Sequence, residues 1–322
     1  MTAAAGYWPR PPRPASSFPV QPTTAEFSEA EQFGSGRSKE KTVQRSTATT
    51  AHSPDVPAGG DAAEPDYAPI MRDIQQRLNF PIGARLAENL IYAVGFIRTC
   101  GGVEDAEAVD RAGSGKIHKQ GDRRADATAG YFQNWMTYGA TGARTRESVA
   151  KVAAMHEHYK KSYTMSNAAF VHGVALFTIL FDEIFQIVGL NVFTEEEKAA
   201  QAAHWRAIGE QLHVHDMPDT WAGLQRFNTE YEHNPAYFRP TPEAHRCAEA
   251  LIDQFNNRWL PRALHPLGRA LLLSLVPDHV LVAVGERKPP VVVVHLLRIA
   301  VRLGLLAQWR VGAILRRSRA GQ

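Results

Sequence analysis

Long apolar runs are missing from this chain. No uninterrupted stretch reaches the roughly 18 apolar residues expected of a spanning helix, so none is expected. Cysteine is scarce: Cys100 and Cys247 are the only two. They lie far apart and form no CxxC pair, which excludes a disulfide framework and a cysteine zinc site and suits a reducing compartment. An excess of one charge is lacking as well. Lys and Arg number 36 against 33 Asp and Glu, a net charge of +3, and no basic stripe of the kind a nucleic-acid binder carries is present. The N-terminus is rich in Pro, Ser and Thr, with neither an apolar h-region nor a twin arginine. These absences together predict a soluble, cytoplasmic protein that has no nucleic-acid partner.

Three motifs begin and are not completed. Gly113-Ser114-Gly115-Lys116 has the end of a phosphate loop, but Asp110 occupies the place of its first glycine and Ile117 follows the lysine instead of Ser or Thr. This stretch is expected to be a surface turn. His156-Glu157-His158 is not the HExxH zinc motif, because position 160 is Lys160. His213-Val214-His215-Asp216 reads as a polar loop at a helix end rather than a metal site, since nothing nearby completes a ligand set.

Residues 1–66 are rich in Pro, Ser, Thr, Ala and Gly and carry no period, so they are expected to be a disordered tail. From Tyr67 the pattern becomes helical. Apolar residues recur at 3–4 residue spacing through 71–78, 82–100, 123–138, 146–159 and 168–188. Further helices open at the Thr194–Glu197 capping box, at Pro218 and Thr220, and at Pro240–Glu243. Two apolar segments follow, near 267–275 and 291–315. Strand signals are thin: 280–284 and 291–294 are short β-branched runs between helical patterns. The expected fold class is all-α, one helical-bundle domain over 67–318 behind the tail.

Candidate chemistry sits between Gly121 and Glu183. Arg124 and Thr128 are one turn apart on a helix, so their side chains share a face. His156 shares a face with Val149 and Val152, and His172 lies on an apolar helix. A histidine on such a face serves either as a hydrogen-bonded core residue or as a ligand. Arg124 either pairs with an acid such as Asp126 or, together with Thr128, faces a polar substrate atom, dioxygen or a propionate. Spacing leaves these readings open.

The order of several segments resembles the MpaB / rubber-oxygenase family, which includes the latex-clearing proteins, from about 70 to about 308. Arg124-x-x-x-Thr128 is similar to its arginine–threonine helix motif, and Val152–Tyr159 to the histidine-bearing helix about thirty residues on. Ser166–Val171, Gly189 with Phe193–Ala199, and Trp205–Gly209 leading to Met217-Pro218-Asp219-Thr220 resemble the segments that follow. The resemblance implies a helical bundle enclosing haem b, with His156 as the axial iron ligand; His172, from its place on an apolar helix, is the runner-up. Arg124 and Thr128 match the polar pair beside the haem. It implies a haem-dependent oxygenase that uses dioxygen on an apolar, isoprenoid-like unsaturated substrate, by oxidative cleavage of a carbon–carbon double bond or a related oxidation. The alternative is a non-catalytic helical module that binds haem or lipid.

The chain departs from the family in places. Latex-clearing proteins have a lysine where Ala127 stands, which argues against ordinary polyisoprene cleavage. The family's base precedes the motif arginine, and Glu107 and Asp110 are the candidates. The fungal relatives' N-terminal membrane helix has no counterpart. From 291 to 322 there are six arginines and no acid. A last core helix with a solvated basic end is favoured there over an amphipathic helix on an anionic membrane.

Overall fold

The computed structural model describes residues 67–78 and 80–320, side chains through Ile314. The tail expected at 1–66 lies outside the described residues. Thirteen α-helices are found among those residues: α1 Ala68–Leu78, α2 Ala84–Thr99, α3 Val103–Asp110, α4 Lys116–Lys119, α5 Gly121–Tyr138, α6 Ala143–Lys160, α7 Asn167–Ile187, α8 Glu195–Gln211, α9 Trp221–His233, α10 Pro242–Trp259, α11 His265–Ser274, α12 Asp278–Ala283 and α13 Val291–Ala320. No strand occurs among the described residues, only an isolated bridge between Gly102 and Phe238. The β-branched runs at 280–284 and 291–294 are helical except for Val284, the turn that ends α12, as the flanking pattern required. The fold is all-α.

Local chemistry starts many of these helices. Ser166 Oγ accepts from Ala169 N at the head of α7, and Thr220 and Thr241 cap α9 and α10 in the same way. Thr194 and Glu197 form the expected capping box on α8. Gly113 and its two predecessors take positive φ (50°, 53° and 80°), so the failed phosphate loop is a turn.

The 21-residue α7 is the central post. Leu176, Ile179, Leu180 and Ile184 are buried, and α2, α8 and α9 pack around them. The main core joins α2 (Tyr92, Ile97), α10 (Leu251, Ile252, Phe255) and α11 (Leu272) to α7. Burial of each such side chain stabilises by about 1.5–3 kcal/mol. Cys100 and Cys247 are fully buried, and their side chains meet across α2 and α10.

Among the described residues, two helices are long and apolar enough to cross a membrane: α7, which is mostly buried, and Val291–Ile314 of α13, which is 6% buried. The expectation of a last core helix at 291–315 therefore holds for one side only. Val294, Val301 and Leu305 pack inward, while most of α13 faces out.

Candidate active site

Gly139 takes φ +70°, and Gly142 leaves no room for a Cβ against Tyr138, so the chain turns sharply between α5 and α6. The two helices form an antiparallel hairpin whose register is fixed at Ser148. Its Oγ accepts from Trp135 Nε1 (2.8 Å) and from Asn134 Nδ2 (2.9 Å). One turn further from the bend, Tyr131 and Val152 join the same apolar cluster. Another turn brings Thr128 level with Met155 and His156, and Arg124 lies one turn beyond. The hairpin thus sets the sequence candidates at neighbouring levels of two adjacent helices.

Of these, His156 has the most telling surroundings. Its Nδ1 is buried without a hydrogen-bond partner, and its ring lies 5.1 Å from that of Phe170 on α7. Burial, assisted by the Lys160 charge, pushes its pKa down to about 4, so the imidazole is neutral at physiological pH and keeps a lone pair. His158, two residues on, is exposed.

Arg124 is half-buried. It donates to the Tyr92 hydroxyl, and its guanidinium carbon sits 4.2 Å from the Phe96 ring centroid. That aromatic seat fixes the side chain and uses one of its five donors. Phe96 in turn touches Phe177 on α7 at 5.5 Å. Phe170 and Phe177, two turns apart, thus connect the His156 and Arg124 ends of the site. Between them, half-buried Gly173 borders open space: a Cβ there would meet nothing within 4 Å. A neutral histidine with an unpartnered nitrogen, an arginine, a hydroxyl, aromatic walls and a gap at Gly173 fit a flat, apolar, iron-bearing group with polar edges.

His172 has a different setting. It is fully buried, stacked 4.4 Å from Tyr231, and its Nε2 is 3.1 Å from Glu232 Oε1. Glu232 is the centre of a buried ion cluster that spacing did not reveal. Arg98 donates to both its oxygens (Nε 2.6 Å, Nη2 3.0 Å), His279 Nε2 lies 2.7 Å from Oε2, and Glu183 takes another Arg98 donor. Burial pushes the Glu232 carboxyl up, but hydrogen bonds from His172 and His279 and the Arg98 charge outweigh it. They hold it well below the usual carboxylate range.

The acids of α3 divide clearly. Glu107 is exposed. Asp110 is buried, but Arg246, His118 and the Gly113 N–H close its carboxylate and hold it ionised against burial. Asp105, which sequence reasoning missed, is the one left unsatisfied: its Oδ2 is buried with no partner. Desolvation, with the Glu104 charge beside it, pushes its pKa up to about 8. Asp105 and Arg124 both act on the Cys100 thiol. No motif announces a carboxyl whose proton is labile near neutral pH, because burial creates it.

Asp105→Asn is therefore expected to stabilise. The folded state prefers the protonated acid, so this group's contribution is complete below the unfolded pKa of 3.8 and is lost as pH rises toward about 8. The asparagine mimics the protonated form at every pH. Its advantage should be near zero at pH 4 and grow to about 2–4 kcal/mol by pH 8, read from urea or thermal melts. A gain independent of pH would refute the shifted carboxyl.

Among the described residues, two other groups of ligating side chains are each closed by an arginine. Asp110, His118 and Cys247 come together under Arg246, and His245, Glu249 and Glu286 under Arg269. His213 and His215 are exposed in a loop at the end of α8, where Asn167 bonds the backbone of His215. No curated protein matches the chain. Residues 99–304, however, match the family described as "ER-bound oxygenase mpaB/B'/Rubber oxygenase, catalytic domain", a span that contains α5, α6 and α7 whole. The chain thus carries an oxygenase catalytic domain and belongs to the mpaB / rubber oxygenase family.

Proposed function

We propose that the protein is a haem-b-dependent oxygenase with His156 as the iron ligand, acting on an apolar, isoprenoid-like unsaturated substrate. The observation that carries this reading is the His156 imidazole: neutral, desolvated, without a protein partner at Nδ1, and on the family's oxygenase domain. His172 is already used by Glu232. Haem would supply the activation of dioxygen, whose two atoms end on the two carbons of a cleaved double bond.

The chain's own residues supply the rest. His156 holds the group from α6 with a lone pair that burial keeps unprotonated. Arg124, seated on Phe96 and Tyr92, offers its remaining donors to a propionate or a polar oxygen at a fixed place, and Thr128 adds a hydroxyl one turn away. Phe96, Phe132 and Phe177 touch one another in series and line the apolar side, which excludes water from a hydrocarbon substrate. Asp105 is assigned the base that the sequence left open between Glu107 and Asp110, because its Oδ2 is buried without a partner, Asp110 is closed by Arg246 and His118, and burial pushes the Asp105 carboxyl up toward neutral pH.

The test combines an absorption spectrum with dioxygen uptake on haem-supplied protein, using a panel of unsaturated terpenoids. A Soret band with substrate-dependent uptake is expected. Absence of the band after reconstitution would refute the reading, and a band without uptake on any substrate would favour the binding module.

A further inference from the structure

We infer that α13 is a docking face for an anionic lipid bilayer. Its two sides have opposite fates. Val294, Val301, Leu305 and Trp309 turn toward the body, Trp309 lying 5.9 Å from Phe185. Arg298 Nε donates to the Ser274 carbonyl at 2.9 Å, and the Gln308 side chain bonds both the N–H and the carbonyl of Ile82, at 3.2 and 2.7 Å. The helix is thus tied down at several levels along its length.

The other side is apolar and uncovered. Val292, Leu296, Ile299, Leu303 and Ile314 recur at helical spacing and are 53–70% exposed. At 1.5 Å per residue the four from Val292 to Leu303 run about 17 Å, and exposed Arg310 lies between them and Ile314 on the same face.

Charge identifies the occupant. From 291 to 322 the sequence carries six arginines and no acid. Arg302 and Arg310 are exposed along α13, and an anionic headgroup layer complements them while the acyl boundary takes the apolar stripe. Because the inner side is fastened to α11, α7 and the Ile82 turn, the helix lies along the surface instead of standing across the bilayer.

The experiment is flotation of the full chain with two kinds of vesicle, pure phosphatidylcholine and phosphatidylcholine with about 30% phosphatidylserine. Binding is expected to be at least about tenfold stronger to the anionic vesicles and to fall in high salt. Leu296→Glu with Leu303→Glu should weaken it at least about tenfold. Because both positions are exposed, the variant should melt like the parent. Arg310→Gln, which removes the charge and keeps every apolar residue of the face, should weaken only the preference for anionic vesicles. Failure to bind either vesicle, or binding untouched by the double substitution, overturns the proposal. A dimer in sedimentation that the double substitution splits also overturns it, in favour of a second copy of the chain.

Discussion

Haem retention by His156→Ala protein is expected to fall at least tenfold, roughly the loss seen when a metal site is deprived of a supporting group and a lower bound for loss of a ligand. The Soret band of protein purified from haem-supplied cells should be weak or absent. The variant should still fold, because His156 stands on the half-buried side of α6 and contributes no hydrogen bond through Nδ1 to the body. A truncated ring leaves a gap beside Phe170 that costs about 1–2 kcal/mol at most in a site that is already open. His172→Ala is the contrasting variant. It removes a partner of buried Glu232 and should lower stability, with less effect on haem retained per folded molecule. Full haem occupancy in His156→Ala protein would remove the ligand assignment and leave family membership untouched.

Glu232→Ala should be the most destabilising single change at the ion cluster. Arg98 is 5% exposed at its side chain, and Glu232 is completely buried. Removing the carboxylate leaves a buried guanidinium with Glu183 as its remaining acid, and removes an acceptor from both His172 and His279. A loss of about 3–5 kcal/mol is expected, close to the whole stability of many domains. The sign with pH follows from the depressed carboxyl. Its contribution is full above the unfolded pKa of 4.5 and is lost as pH falls below that value. Urea denaturation at pH 7 should therefore separate wild type from Glu232→Ala widely, and the gap should narrow toward pH 3. A small difference at pH 7 would mean that the cluster relaxes or admits water when the acid is gone.

What the sequence made legible was local. The α8 capping box, the threonine caps of α9 and α10 and the Ser166 cap of α7 all rest on groups three residues apart, so each helix start could be read directly. The hairpin that aligns Thr128 with His156 was half legible: its helices and glycine breaks were visible, its register was not. The short α3 and α4 were missed because eight and four residues carry too little period. The Glu232 cluster joins residues 47 to 134 apart in the chain, and spacing has no access to that. The choice between His156 and His172 was a similar case. Both sit on apolar helix faces, and only the neighbours show that one is occupied by a carboxylate. For α13 the apolar residues were counted correctly, but which side would find a partner depends on where α11 ends up.

The clasp between Gln308 and Ile82 has a consequence for how the protein is made. Its two ends are 226 residues apart, and a ribosome adding about 5–20 residues per second completes that interval in about 10–45 s. During that time the Ile82 turn, joined by the α7 flank beneath Trp309 for roughly the second half, is on the growing chain with nothing to close it. Nascent protein halted before α13 should accordingly bind chaperones through that bare strip and release them once the last helix emerges.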